Sequence, residues 1–142
     1  MSSTQAYGVW VAQGQRQRIG RVQQGNLISG NAQVGVRLYG PATTDNVVQA
    51  NLIGPASRRD DFVGGTQNVG VEIADGASHN VVGGDTPSAA TSPGNTLRYN
   101  QQHGIVVADD QSRDNWLGAI SCSTYRPCDR PGQRWRNAER PG

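Results

Sequence analysis

Gly70-Val-Glu-Ile-Ala-Asp-Gly-Ala-Ser-His-Asn-Val-Val-Gly-Gly84 is the stretch whose reading decides the fold. Val71 and Ile73 alternate with Glu72, the period-2 pattern of a half-buried strand. Asp75-Gly76-Ala77-Ser78 supplies turn chemistry, and Asn80-Val81-Val82 opens a second short strand.

The unit recurs. The glycine opening the first strand signal returns as Gly8 (Gly-Val-Trp-Val), Gly35 (Gly-Val-Arg-Leu), Gly70 and Gly104 (Gly-Ile-Val-Val), at spacings of 27, 35 and 34 residues. The second signal, Asn-x-aliphatic, reads Asn46-Val47-Val48, Asn80-Val81-Val82 and Asn115-Trp116-Leu117, with Gln17-Arg18-Ile19 in the first repeat. A third signal follows as Asn26-Leu27-Ile28, Asn51-Leu52-Ile53 and Asn95-Thr96-Leu97; in the last repeat Ala119-Ile120-Ser121-Cys122 lacks the asparagine.

Three short strands per period, with no helical pattern between them, describe a coil in which each strand pairs in parallel with its equivalent in the next. The expected fold is all-β: a parallel β-helix, a single-stranded solenoid with three strands per coil and about four coils. Its first face turns Val9, Val11, Val36, Leu38, Val71, Ile73, Ile105 and Val107 inward. The second contributes Ile19, Val48, Val82 and Leu117, the third Ile28, Ile53 and Leu97. The outward residues of the first face then form a column in the order Trp10, Arg37, Glu72, Val106, with Arg37 between an aromatic ring and a carboxylate. Asn46, Asn80 and Asn115 form one ladder and Asn26, Asn51 and Asn95 another, because an asparagine tolerates a left-handed corner and its amide can bond the amide stacked on it.

Composition agrees. The chain has 142 residues, 19 of them glycine, with a single methionine, which suits many short strands and turns better than long helices. All 13 basic residues are arginine, and the formal charge of +2 is too small to argue for nucleic acid. Residues 119–142 hold five arginines against two acids, net +3; the other 118 residues hold eight against nine, net −1. No run approaches a membrane span, and residues 1–6 show neither the charged nor the apolar region of a signal peptide.

The strings Gly25-Asn-Leu-Ile-Ser-Gly-Asn31, Asn51-Leu-Ile-Gly54 and Gly70–Gly84 resemble the right-handed parallel β-helix repeats of the pectate-lyase-like superfamily, above all the long bacterial secreted and surface repeat proteins. The resemblance covers roughly residues 7–118. It implies a right-handed helix and an extracellular or cell-surface location. It leaves function open, since the architecture serves lyases, hydrolases, adhesins and inert stalks alike. The chain divides into a repeat segment, 1–118, and an Arg/Pro-rich tail, 119–142. The tail reads as an out-of-frame or unrelated extension, poorly ordered on the body, or as a genuine basic tail or cap. Cys122 and Cys128 alone define neither a disulfide framework nor a metal site.

Sites are expected in the insertions between coils. Arg58-Arg59-Asp60-Asp61 can hold a uronate carboxylate through bidentate arginine, although such a run is more commonly a solvated loop. The second insertion, 85–93, is rich in Thr, Ser, Pro and Ala. Asp109, Asp110 and Asp114 invite comparison with the paired acids of glycoside hydrolases. The Asn-Thr-Asp, Gly-His-Gly and Arg-x-Lys motifs of the polygalacturonase-like group are missing, however, and nothing singles out Arg37 or Arg113 as a lyase base. Asp75 and Asp109 each lie five residues after their aligned glycine. They stack on adjacent coils, and with Asp110 they could hold Ca²⁺, the one cofactor the pattern suggests; the other reading is solvated turn aspartates. His79 and His103 read as exposed turn histidines, and Ser29, Ser78 and Ser112 carry no nucleophile motif. The leading expectation is a non-catalytic structural, adhesive or carbohydrate-binding segment of a secreted or surface protein, with polysaccharide as partner and self-association through its exposed end coils. The alternative is a fragment of a polysaccharide lyase or glycoside hydrolase acting on acidic glycans.

Overall fold

The structure, a computed structural model, describes residues 5–21, 23–54, 67–83, 94–98, 100–118, 121–123 and 133–135. The first period supplies β1 (Tyr7–Ala12), β2 (Arg18–Ile19) and β3 (Leu27–Ile28); the second β4 (Val34–Tyr39), β5 (Val47–Val48) and β6 (Leu52–Ile53). The third supplies β7 (Val69–Ala74), β8 (Val81–Val82) and β9 (Thr96–Arg98); the fourth β10 (His103–Val107), β11 (Asn115–Leu117) and β12 (Ser121–Ser123), and β13 (Gln133–Trp135) follows. No helix occurs among the described residues, so none is long and apolar enough to cross a membrane.

The strands form three sheets, and each period gives one strand to each. The orders are β1-β4-β7-β10, β2-β5-β8-β11-β13 and β3-β6-β9-β12. Among the described residues every strand pairing is parallel except β11 with β13. The arrangement is consistent with a parallel β solenoid.

Equivalent residues of successive periods stand opposite one another. Val9, Val36, Val71 and Ile105 align, as do Val11, Leu38, Ile73 and Val107. A one-residue slip would turn every one of these side chains to water, so the apolar pattern fixes the register. Ile19, Val48, Val82 and Leu117 from the second sheet and Ile28, Ile53 and Leu97 from the third join the first in a single hydrophobic cluster. Val9, Val11 and Val107, at the ends of the stack, are only partly buried against it.

Between strands the backbone bends through left-handed residues. Arg16, Asp45, His79 and Asp114, each just before the second-sheet strand, all have φ between 55° and 59°. Gln13 and Asp75 do the same after the first-sheet strand, where the second period has Gly40. Gly83 has φ +130°, and a Cβ there would stand 1.5 Å from the Gly118 carbonyl oxygen. Only glycine permits that approach.

Side-chain amides line the corners. Asn46 Nδ2 donates to Asn80 Oδ1 at 2.9 Å and Asn80 Nδ2 to Asn115 Oδ1 at 3.1 Å. Asn26 donates likewise to Asn51 at 3.0 Å, and Asn51 to Asn95 at 3.1 Å. Each of these oxygens also accepts the backbone N–H of the asparagine before it, so one amide satisfies groups on two periods that burial would otherwise leave orphaned. A third column alternates residue type. Gln5 donates to Asn31 at 3.0 Å, Asn31 to Gln67 at 2.9 Å and Gln67 to Asn100 at 2.8 Å.

The fourth period has its third strand after all. Ser121, Cys122 and Ser123 pair in parallel with Thr96, Leu97 and Arg98, so the ladder continues without the asparagine that marks it earlier. β13 lies antiparallel on β11, with Trp135 opposite Asn115.

Candidate functional site

The outer surface of the first sheet carries the densest polar and aromatic grouping among the described side chains. The pleat sends Arg37 outward between the inward Val36 and Leu38, and parallel register sets it beside Trp10 on β1 and Glu72 on β7. Val106 completes the column beside Glu72. Tyr39, two residues beyond Arg37, faces outward with it. Tyr7 lies at the start of β1, with its ring centroid 4.9 Å from that of Trp10. Trp10 and Tyr39 meet edge to face at 6.0 Å and 88°.

The Arg37 guanidinium carbon lies 4.4 Å from the Tyr39 ring centroid, 5.0 Å from Tyr7 and 5.1 Å from Trp10. Its Nε donates to Glu72 Oε1 at 2.7 Å, and Nη1 donates to the Tyr7 hydroxyl at 3.1 Å, which in turn donates to Gln33 Oε1 at 3.0 Å. The Arg37 and Glu72 side chains are 19% and 20% exposed, whereas Trp10 is 50% exposed. The charges are therefore sunk and matched, and an indole stands proud of them. Spacing foretold Trp10, Arg37 and Glu72 as neighbours. Tyr39 shares the outward parity of Arg37 and was legible in the same way. Tyr7 has the opposite parity to Trp10, and no sequence signal marks it.

The corner after the first-sheet strand brings Asp109 under Asp75. Asp109 Oδ2 accepts the Asp75 N–H. Oδ1 accepts from the N–H of Gln111 at 3.2 Å and from the N–H and hydroxyl of Ser112, both at 2.9 Å. Partial burial pushes the carboxyl pKa up. The Ser112 hydroxyl and the N–H groups of Asp75, Ser112 and Gly76 outweigh it and hold Asp109 below its ordinary 3.8. Asp109 thus ties two periods together as an ionised acceptor. Pro41, Asp75, Gly76, Asp109 and Gln111 line a shallow cleft of about 330 Å³ beside it. No group of three His, Cys, Asp or Glu side chains able to hold a metal lies among the described residues.

Asp110 is exposed, and its carbonyl accepts from Arg113 Nε at 2.9 Å. Asp114 lies at a different corner, where its Oδ2 is 3.9 Å from His79 Nε2. Asp109 and Asp114 thus engage different groups, Asp75 with Ser112 in one case and His79 in the other. His79 and His103 are both exposed. Ser112 is buried and its hydroxyl accepts from the Gly76 N–H at 3.1 Å, a structural role. The 58–61 run, the 85–93 insertion and Cys128 lie outside the described residues.

Compared with protein-family models, curated proteins and solved structures, the chain gives no match.

Proposed function

We propose that this chain is a non-catalytic carbohydrate-binding segment of a right-handed parallel β-helix of the pectate-lyase-like kind, carried on a secreted or surface protein. The observation that carries this reading is the half-exposed Trp10, backed by Tyr7 and Tyr39 and by the Arg37–Glu72 pair, on the outer surface of a rigid sheet. Isolated exposed apolar residues need no explanation, but a supported aromatic platform is what a ligand surface requires. The amide ladders and in-register stacking support a scaffold role beneath it.

The hydrolytic alternative draws less support. A general acid must hold a proton near neutral pH, and the environment of Asp109 favours its ionised form. Arg37, one of two nominated lyase bases, is bound to Glu72 and covered by three rings.

Affinity electrophoresis through gels containing soluble plant and bacterial polysaccharides tests the reading. At least one polysaccharide retards the wild type, and Trp10→Ala abolishes the retardation. Equal mobility of both proteins in every gel overturns it. Release of reducing or unsaturated ends from polygalacturonate, lost in Asp109→Asn, would favour the enzyme instead.

A further inference from the structure

Taking the carbohydrate reading of the Trp10 platform as its basis, we infer that the ligand is a neutral glycan, held by stacking and by its hydroxyl groups, and not an acidic one. Three observations converge. Among the described residues of this sheet face the one cation, Arg37, is matched one to one by Glu72 at 2.7 Å, so their charges cancel. Two of the guanidinium nitrogens are already engaged, by Glu72 and by the Tyr7 hydroxyl. The three rings around its central carbon further shield the charge from an incoming carboxylate. A uronate is recognised by an arginine that offers its paired N–H groups outward, and this one already commits Nε to Glu72 and Nη1 to Tyr7.

The groups left over suit a different ligand. Glu72 Oε2 has no hydrogen-bond partner among the described residues, while Oε1 holds Arg37. A carboxylate oxygen only accepts, so it calls for a donor such as a sugar hydroxyl and repels a carboxylate. The Tyr39 hydroxyl likewise has no partner among the described residues and can donate or accept. Beside these polar groups, the half-exposed indole of Trp10 offers an electron-rich face. That face attracts weakly positive C–H bonds, and one side of a neutral pyranose presents a row of them. A proline-rich segment also stacks on aromatic rings, but its prolines have no N–H and supply no donor for Glu72.

Isothermal calorimetry and tryptophan fluorescence with four probes test this: cellohexaose, xylohexaose, hexagalacturonate and a proline-rich decapeptide. At least one neutral hexasaccharide binds, and raising NaCl from about 0.05 to 0.5 M changes its affinity less than about twofold, because no charge pair is formed. Trp10→Ala weakens it at least about tenfold, Trp10→Phe less, and Glu72→Gln measurably, with circular dichroism unchanged. Binding of hexagalacturonate alone, weakened by salt, overturns the inference and leaves the carbohydrate reading standing. Binding of the peptide alone overturns both, and binding of no probe overturns the inference while the polysaccharide gels decide the carbohydrate reading.

Discussion

Asn46 and Asn80 are separated by 34 residues of chain, yet the side-chain amide of the first donates to that of the second at 2.9 Å with both fully buried. Asn80 Oδ1 also accepts the Asn46 N–H, and Asn80 Nδ2 donates to the Thr43 carbonyl and to Asn115 Oδ1. Every lone pair or proton it uses belongs to a group that burial would otherwise strand. Asn80→Leu leaves several of those groups without partners, and at about 1–3 kcal/mol each the loss should reach about 3 kcal/mol or more. Urea unfolding measures it. A cost within about 0.5 kcal/mol of zero would mean the ladder is decorative.

The Arg37–Glu72 pair lies between the exposed and buried limits. Exposed pairs contribute about 0.2–1 kcal/mol. Here the rings limit solvent, so a double-mutant cycle with Arg37→Ala and Glu72→Ala should give a coupling of about 1 kcal/mol. Arg37→Lys should recover little of it, because an ammonium cannot lie flat among three rings and still donate sideways.

Asp109 predicts a pH dependence of known sign. Its folded pKa is lowered, so its stabilisation is fully present above the ordinary 3.8 and is lost as pH falls through the folded value. Asp109→Ala should cost about 1 kcal/mol at neutral pH, the carboxylate being partly open to solvent. The gap between wild type and variant should stay flat above about pH 5 and close in more acidic solution. Thermal melts across pH check it; a gap that widens in acid would contradict the assignment.

Two glycines separate conformational strain from collision. Gly30 has φ +74° with open space around it, so Gly30→Ala should cost only the left-handed penalty of about 1–2 kcal/mol. Gly83→Ala adds a methyl group 1.5 Å from the Gly118 oxygen and should cost more than about 4 kcal/mol. Calorimetric melting of both variants makes the comparison, and equal losses would refute the close approach.

The legible part of this chain was what repeats with one residue type. The three apolar faces, the register and two asparagine columns follow from Gly-Val-x-Val and Asn-x-aliphatic strings, because parallel stacking puts identical residues at identical places. The third column escaped notice because glutamine and asparagine alternate in it, and the longer side chain reaches where the shorter one does not. The same holds for Ser121–Ser123, whose backbone pairs with β9 although its sequence has lost the marker. At the platform, period-2 parity placed Trp10, Arg37 and Glu72 on one face. Tyr7, lying off that parity, could be seen only in three dimensions. The hydrogen-bond partners of Asp109 were also beyond spacing alone: the repeat places it beside Asp75, but the backbone N–H groups of Asp75 and Ser112 that face it are seen only in three dimensions.

All three amide columns run the same way, each side chain donating to the period that follows and accepting from the one before. The stack is therefore a polar rod. Its aligned amide dipoles add along the axis, in the way peptide dipoles add along a helix, and its two ends are electrically unlike. A strand laid on in the opposite sense cannot extend a column, since a column grows only where a further amide meets it in matching orientation. Among the described residues β13 is the one strand laid antiparallel, and it pairs with β11, the second-sheet strand of the fourth period. The side chains, and not the backbone hydrogen bonds alone, thus act as a ratchet on the direction in which this fold can grow.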